Sequence, residues 1–425
     1  MPARRCCASC TSATPSRPRT EGNGAMRVIV IGAGPAGTRV AERVAQRLPG
    51  AEVTLIGEER ALPYDRVALG RVLSGKDEPL ALITHPRERL RELGIRFRPG
   101  TRIAAIDRAA REVVTGKGER MGYDRLVLAT GSRAVRLPLP GAGLPGVFLY
   151  RTMDDVQAML RLARGGARHA AVVGGGLLGL EAADCLARQG LKVTVVHPLG
   201  WPMERQLDAT AGGLLTGWLR RGGIDFAMPA ATAAIEGEDR ATGLRLADGR
   251  LIPAEIVVLA VGVRPDPSLA AAAGLPVNRA ILVDDAMRTE DPAIHAVGEC
   301  AEHNGAVVGL VAPALAMAET AAAAIAGEAG AYAPRPDAAA LKVSGVAVWS
   351  GGQIAPPDAE AITFNDPVSG HFRRLWLRDG RLVGAVLYGD AGDSAFYLDL
   401  ITSGRPVGPD RAGLVLGPDY LERAA

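Results

Sequence analysis

The chain has 425 residues, with 49 Lys and Arg against 46 Asp and Glu, a formal charge of +3. That length exceeds what one hydrophobic core supports and predicts two or three domains, while the near-balance of charge and the lack of a basic run along any helical stretch exclude an evident nucleic-acid surface. Apolar runs such as VIVIGAG and AAVVGGGLLGL fall well short of the roughly 18 to 20 residues of a membrane span, so a soluble protein is expected.

Residues 1–25 are rich in Arg and Ser and lack an apolar core. They do not read as a secretory signal and only loosely resemble an organelle transit peptide; a disordered extension or an over-long start is expected, because Met26 directly precedes the first strand. Cys6, Cys7 and Cys10 fall in this tail, and Cys185 and Cys300 stand isolated. The folded part therefore has too few thiols for a four-thiolate iron–sulfur or zinc site. No metal site is expected, and the cysteine usage suits a reducing cytoplasm.

The first organised segment, RVIVIGAGPAGTRVAERVAQRLPGAEVTLIGEER, is read as strand, glycine turn, helix and second strand. Gly32 permits the tight turn, Gly34 lets the backbone beside Pro35 and Ala36 approach a pyrophosphate, and Gly37 lets the helix pack on the strand. Glu58 and Glu59, about 20 positions after the last glycine, are placed to meet a ribose 2′-hydroxyl. The design repeats in HAAVVGGGLLGLEAADCLARQGLKVTVVH, with Gly174, Gly176 and Gly179 around Leu177 and Leu178. Two dinucleotide folds in one chain suggest a flavin and a nicotinamide bound face to face.

YDRLVLATGS and IVVLAVGVRPD are apolar strands that end in glycine turns, at Ala129, Thr130 and Gly131 and at Gly262. Such turns suit a chain passing close to a cofactor or crossing between domains. A further strand pair over 281–299 ends at AVGEC, and PALAMAETAAAAIAG predicts a helix from Pro313 to Gly327. After a Pro/Ala-rich linker near 329–340, alternating segments with a turn at Asp379–Gly380 predict antiparallel strands and a short helix.

YDRVALGRVLSG, VVGGGLLGLEAA, MERQLD, AVGEC with GLVAP, LKVSGV and VGAVLYGD resemble the flavoprotein disulfide reductase superfamily in its ferredoxin-reductase-like branch. The nearest likeness is to the FAD-containing portion of assimilatory nitrite reductase large subunits and related electron-transfer subunits. The resemblance spans residues 27 to about 417. It implies an α/β fold with two Rossmann-like dinucleotide-binding domains, for FAD and NAD(P)H, plus a C-terminal α+β interface domain. The expected boundaries are 26–145 with 266–330, 146–265, and 338–425.

The resemblance also implies roles. Glu299, after Gly298, stands where most relatives hold the FAD ribityl chain with an aspartate, and the helix entered through Val311, Ala312 and Pro313 would point its N-terminus at the flavin and stabilise its anionic reduced form. Arg66 is expected at the cofactor. Arg71 aligns with a lysine near flavin N5 and Glu181 with a glutamate beside the nicotinamide, so an Arg71–Glu181 pair lining the hydride-transfer gap is expected, the alternative being a solvated Arg71. His197 occupies the strand end where an acid would favour NADH; with Arg205 the nearby cation, NADH, NADPH or both stay open, as does a histidine facing solvent. Cys185 and Cys300 read as packing residues, since no CxxC or Cx4C pair is present.

Family large subunits continue into cysteine-rich sirohaem-binding regions that these 425 residues lack. The expectation is therefore an FAD-dependent NAD(P)H reductase that passes electrons to a separate iron–sulfur or sirohaem protein of nitrate or nitrite assimilation, with a homodimer allowed. The alternatives are a ferredoxin or rubredoxin reductase, an NAD(P)H oxidase, or a non-enzymatic FAD/NADH-binding sensor.

Overall fold

The computed structural model describes residues 24–334, 338–341, 345–408 and 411–420. The expectations for residues 1–23, including Cys6, Cys7 and Cys10, lie outside these, as do residues 342–344 within LKVSGV.

An apolar run without polar alternation must be covered on both faces, which a parallel sheet flanked by helices provides. Strand Arg27–Ile31 is such a run, with Val28 to Ile31 buried. It is the centre of a five-stranded parallel sheet in the order Ile294–Ala296, Arg125–Leu128, Arg27–Ile31, Glu52–Ile56, Ile95–Arg98. Helix Pro35–Arg47 starts on a proline, whose fixed φ suits a first turn, and buries Val40, Ala41 and Val44. Each valine there contributes about 1.5–3 kcal/mol by leaving water. Helix Val311–Ile325 packs along the same helix.

A second parallel sheet repeats the plan in the order Ile224–Ala227, Lys192–Val196, His169–Val173, Ile256–Leu259, Val147–Phe148. Each fold carries a three-stranded antiparallel meander before its last long strand, at 103–122 and at 232–253; the sequence reading did not anticipate these short half-buried strands. A two-stranded ribbon, Ser132–Ala134 with Val263–Pro265, joins the folds just beyond both glycine turns.

The C-terminal sheet is antiparallel, in the order Ala338–Leu341, Val348–Gly352, Arg381–Tyr388, His371–Arg378, Glu360–Asp366. Asp379 and Gly380 both take positive φ, +50° and +68°, the backbone that a tight hairpin requires. Ala338–Leu341 corrects the expected linker: alanines with little strand propensity are recruited as an edge by pairing with Val348–Gly352. Leu180, Leu186 and Leu215 of the second fold share one apolar cluster with Phe372, Trp376 and Tyr388. Arg374 pairs with Asp208 across the same junction. Among the described residues no helix is long and apolar enough to cross a membrane.

Candidate active site

The glycine loops show why each position must lack a side chain. Gly32 has φ +111°, and a Cβ there would sit 2.0 Å from the Ala129 carbonyl oxygen; one on Gly37 would sit 1.9 Å from the Gly32 carbonyl oxygen. The second fold matches: Gly174 has φ +115° with a Cβ 2.3 Å from the Ala260 oxygen, and a Cβ on Gly179 would lie 2.0 Å from the Gly174 oxygen. Gly34 and Gly176 differ, because a Cβ on either would meet nothing within 4 Å. Both cap their helices in extended backbone, with φ −76° and −77°. The outer glycines thus close the fold, and the middle one leaves a cradle at a helix N-terminus whose first N–H groups have no intrahelical acceptor. A pyrophosphate fits such a cradle.

Around the first cradle, residues far apart in sequence converge. Gly298, at φ +77°, is wedged between helices, since a Cβ there would meet Ala36 at 3.2 Å and Ala314 at 3.8 Å. The helix Val311–Ile325 begins two residues before Pro313, so Val311, Ala312 and Pro313 form its first turn. Glu299 lies beside the Ala129–Thr130–Gly131 turn. Its Oε2 accepts from the Ser132 hydroxyl at 2.7 Å and from Arg151 Nη2 at 2.6 Å, and Arg151 also donates to Ser132 Oγ at 2.7 Å. Sequence reasoning missed Arg151 and Ser132; the one local signal was that Arg151 precedes the Thr152–Asp155 capping box.

The two acids after the second strand separate. Glu59 accepts from the Tyr64 hydroxyl at 2.8 Å and from Arg66 at 2.5 Å; burial pushes the Tyr64 hydroxyl above its ordinary value, which keeps it a donor. Glu58 stays at the surface, 3.9 Å from Arg102. Arg66 also donates to the Arg151 carbonyl, tying Glu59 and Tyr64 to the Glu299 network.

Between the folds, Arg66, Tyr150, Arg151, Leu178 and Glu181 line one small cavity. Glu181 and Leu178 therefore reach this gap from the helix Leu177–Arg188. Arg71 does not line it: its exposed guanidinium grips Asp77 at 2.7 and 3.1 Å. The cations that share the cavity wall with Glu181 are Arg66 and Arg151. The physical reason is helix phase, since Leu69–Leu73 presents Leu69, Val72 and Leu73 to the core and turns Arg71 outward.

In the second fold, Gly262 has φ +104° with open space beside it. His197 is 5 % exposed, so the solvent-facing alternative does not hold. Its Nδ1 accepts from the Gly175 amide at 3.1 Å, and its Nε2 lies 3.2 Å from Glu204 Oε2. Arg205 is exposed. Among the described residues no group of three or more His, Cys, Asp or Glu could hold a metal ion.

Residues 26–324 match the pyridine nucleotide-disulphide oxidoreductase family, and residues 338–405 match the rubredoxin NAD+ reductase C-terminal domain. The chain belongs to the pyridine nucleotide-disulphide oxidoreductase family. It is 40 % identical over 381 residues to an NAD(P)H nitrite reductase of Bacillus subtilis, covering 89 % of this chain and 47 % of that protein. It is 37 % identical over 384 residues to the assimilatory nitrate reductase electron transfer subunit of the same organism, covering 90 % and 50 %. The chain thus spans about half the length of these relatives. Among solved structures, a ferredoxin reductase from Rhodopseudomonas palustris superposes with a TM-score of 0.85 at 30 % identity, covering 94 % of this chain and all of that one.

The family's name does not carry over to the two described thiols. Cys300 is fully buried and donates to the Val297 and Leu128 carbonyls at 3.3 and 3.4 Å; burial raises its thiol above the ordinary value. Cys185 donates to the Gly70 carbonyl at 3.2 Å and is pushed up to about 12 by burial. Neither is a thiolate at neutral pH, so neither is poised as a nucleophile.

Proposed function

We propose that this protein is the electron-entry component of nitrate or nitrite assimilation, taking hydride from NAD(P)H and delivering electrons to a separate iron–sulfur or sirohaem protein. The observation that carries this reading is the pair of open glycine cradles, Gly34 and Gly176, with Arg66, Arg151, Leu178 and Glu181 walling the gap between the two folds. The Bacillus subtilis relatives, an NAD(P)H nitrite reductase and an assimilatory nitrate reductase electron transfer subunit, support the acceptor class. In this reading the first fold takes FAD and the second the nicotinamide nucleotide.

When bound, FAD supplies an acceptor for the hydride and gives up the two electrons one at a time. The chain's own residues bind and orient. Gly32, Gly34 and Gly37 with Pro35 and Ala36, and Gly174, Gly176 and Gly179 with Leu177, turn helix N-termini toward the two pyrophosphates. Ala129, Thr130, Gly131, Gly262 and Gly298 keep the backbone close to the rings. Glu58 meets a ribose, and Glu59 positions Arg66. Glu299 accepts from a ribityl hydroxyl, with Arg151 and Ser132 holding the carboxylate in place. Val311, Ala312 and Pro313 bring a helix N-terminus to the isoalloxazine. Leu178 and Glu181 would hold the nicotinamide, and Arg71 pairs with Asp77. The free Cys185 and Cys300 fit a reducing compartment, and we place the protein in the cytoplasm.

A second reading, a reductase of a ferredoxin, is favoured by the full coverage of the Rhodopseudomonas palustris protein. It shares the hydride step and differs in the acceptor. Glu181→Ala tests that shared step: flavin reduction by NAD(P)H in stopped flow should slow by about tenfold or more, as expected when a positioning contact at the reacting rings is lost. An unchanged rate would remove Glu181 from the site.

A further inference from the structure

The second nucleotide fold has a histidine where its second strand ends, and that histidine is engaged with protein. The glycine motif here reads Gly174-Gly175-Gly176, and Gly175 has given up its side chain to make room for the imidazole: a Cβ there would fall 3.0 Å from His197 Cγ. The Gly175 N–H donates to His197 Nδ1 at 3.1 Å, and the Gly175 carbonyl accepts from the Met203 N–H at 2.9 Å. Both polar groups of Gly175 are thereby used to pin the segment after the strand onto the cradle loop. Met203 is buried and in the left-handed region at φ +56°, which marks a backbone held by its surroundings.

This clamp delivers the next residue, Glu204. With Nδ1 accepting from Gly175, the other ring nitrogen, Nε2, is buried 3.2 Å from Glu204 Oε2, close but outside hydrogen-bond geometry. The carboxylate is 27 % exposed and follows Met203, whose N–H is pinned to the Gly175 carbonyl of the glycine loop. A carboxylate held there can accept from both hydroxyls of an unmodified ribose, and it repels a 2′-phosphate, which carries negative charge and no donor at neutral pH. Arg205, one residue on, is an exposed long side chain and would have to lose rotamer freedom to answer that repulsion.

We propose that Glu204, positioned by His197, is the residue that selects the nicotinamide nucleotide lacking a 2′-phosphate, so that the protein uses NADH in preference to NADPH. This rests on reading the second fold as the nicotinamide site.

The test is calorimetric titration of the oxidised, FAD-loaded protein with NAD+ and with NADP+, in wild type, Glu204→Gln and Glu204→Ser. Two substitutions guard against one failing to fold, and the wild-type ratio is informative by itself. The wild type should bind NAD+ at least about tenfold more tightly than NADP+, and both variants should shrink that ratio by about tenfold, as expected when a charged acceptor and its repulsion are removed together. Equal affinities in the wild type, or an unchanged ratio in both variants, would overturn the assignment. Binding of neither nucleotide while FAD stays bound would overturn the nicotinamide reading of the second fold itself, a different failure.

Discussion

At the residue scale, the glycines separate folding from binding. Gly37→Ala puts a methyl 1.9 Å from a backbone oxygen; the strand and helix must move apart, at a cost of about 1–3 kcal/mol or more, readable as a lower Tm of the apoprotein. Gly34→Ala meets no protein atom, so the apoprotein should keep its Tm while FAD affinity drops by about tenfold or more as the methyl enters the pyrophosphate cradle. A Gly34→Ala protein that binds FAD as well as wild type would show that the cradle is not the phosphate site. The glycine pattern was legible because spacing alone carries it. The partners of Glu299 were not: Arg151 lies 148 positions away, and only the fold brings it to the carboxylate. His197 was legible as a strand-end residue, but its inward turn depends on the space left by Gly175.

His295 gives a second residue-scale prediction. It is fully buried in strand Ile294–Ala296, neither ring nitrogen has a hydrogen-bond partner among the described residues, and burial, with Arg125 and Arg288 adding, lowers its pKa to about 4. Between pH 6.5 and 4 the unfolded chain binds a proton that the folded chain refuses, so stability falls as pH falls through that window. The loss reaches roughly 3 kcal/mol near pH 4 and is absent above the ordinary histidine value. Denaturant titrations at several pH values should show this slope, and His295→Leu should flatten it.

At the element scale, helix Pro35–Arg47 and helix Val311–Ile325 are locked by charge as well as by packing. Arg39, Arg43 and Arg47 converge on Glu319 at 3.2, 2.7 and 3.4 Å. These side chains are about one-third exposed, so the network contributes only about 1 kcal/mol. Glu319→Gln should lower stability by that amount at low salt and by less at high salt, where the charges are screened. Helix 311–325 was legible from its alanine run, but its start was placed two residues late, because Pro313 is tolerated anywhere in a first turn and need not open it. The antiparallel C-terminal strands were legible from alternation and the Asp379–Gly380 turn. The edge strand Ala338–Leu341 was not, since its alanines have little strand propensity of their own and it forms by pairing with Val348–Gly352. The outward turn of Arg71 was not legible for a similar reason: a five-residue helix offers too little periodicity to reveal which face is buried.

At the scale of the whole molecule, the internal repeat was the most legible feature. Two strand–glycine–helix units, each followed by a strand ending in a glycine turn, predicted two parallel sheets, and both are present. How they meet could not be read from either repeat, because the ribbon 132–134 with 263–265 and the cavity around Glu181 belong to neither alone. In the proposed function, that meeting is what would let the two bound nucleotides react with one another. The central claim, hydride in and single electrons out to another protein, is tested most directly by reoxidation in stopped flow: the FAD-loaded protein is reduced with NADH and then mixed with an iron–sulfur or sirohaem acceptor protein, or with air-saturated buffer. The account predicts fast bleaching of the flavin by NADH, then reoxidation by the acceptor protein much faster than by oxygen. Oxygen as the faster oxidant, or no bleaching at all, would contradict it.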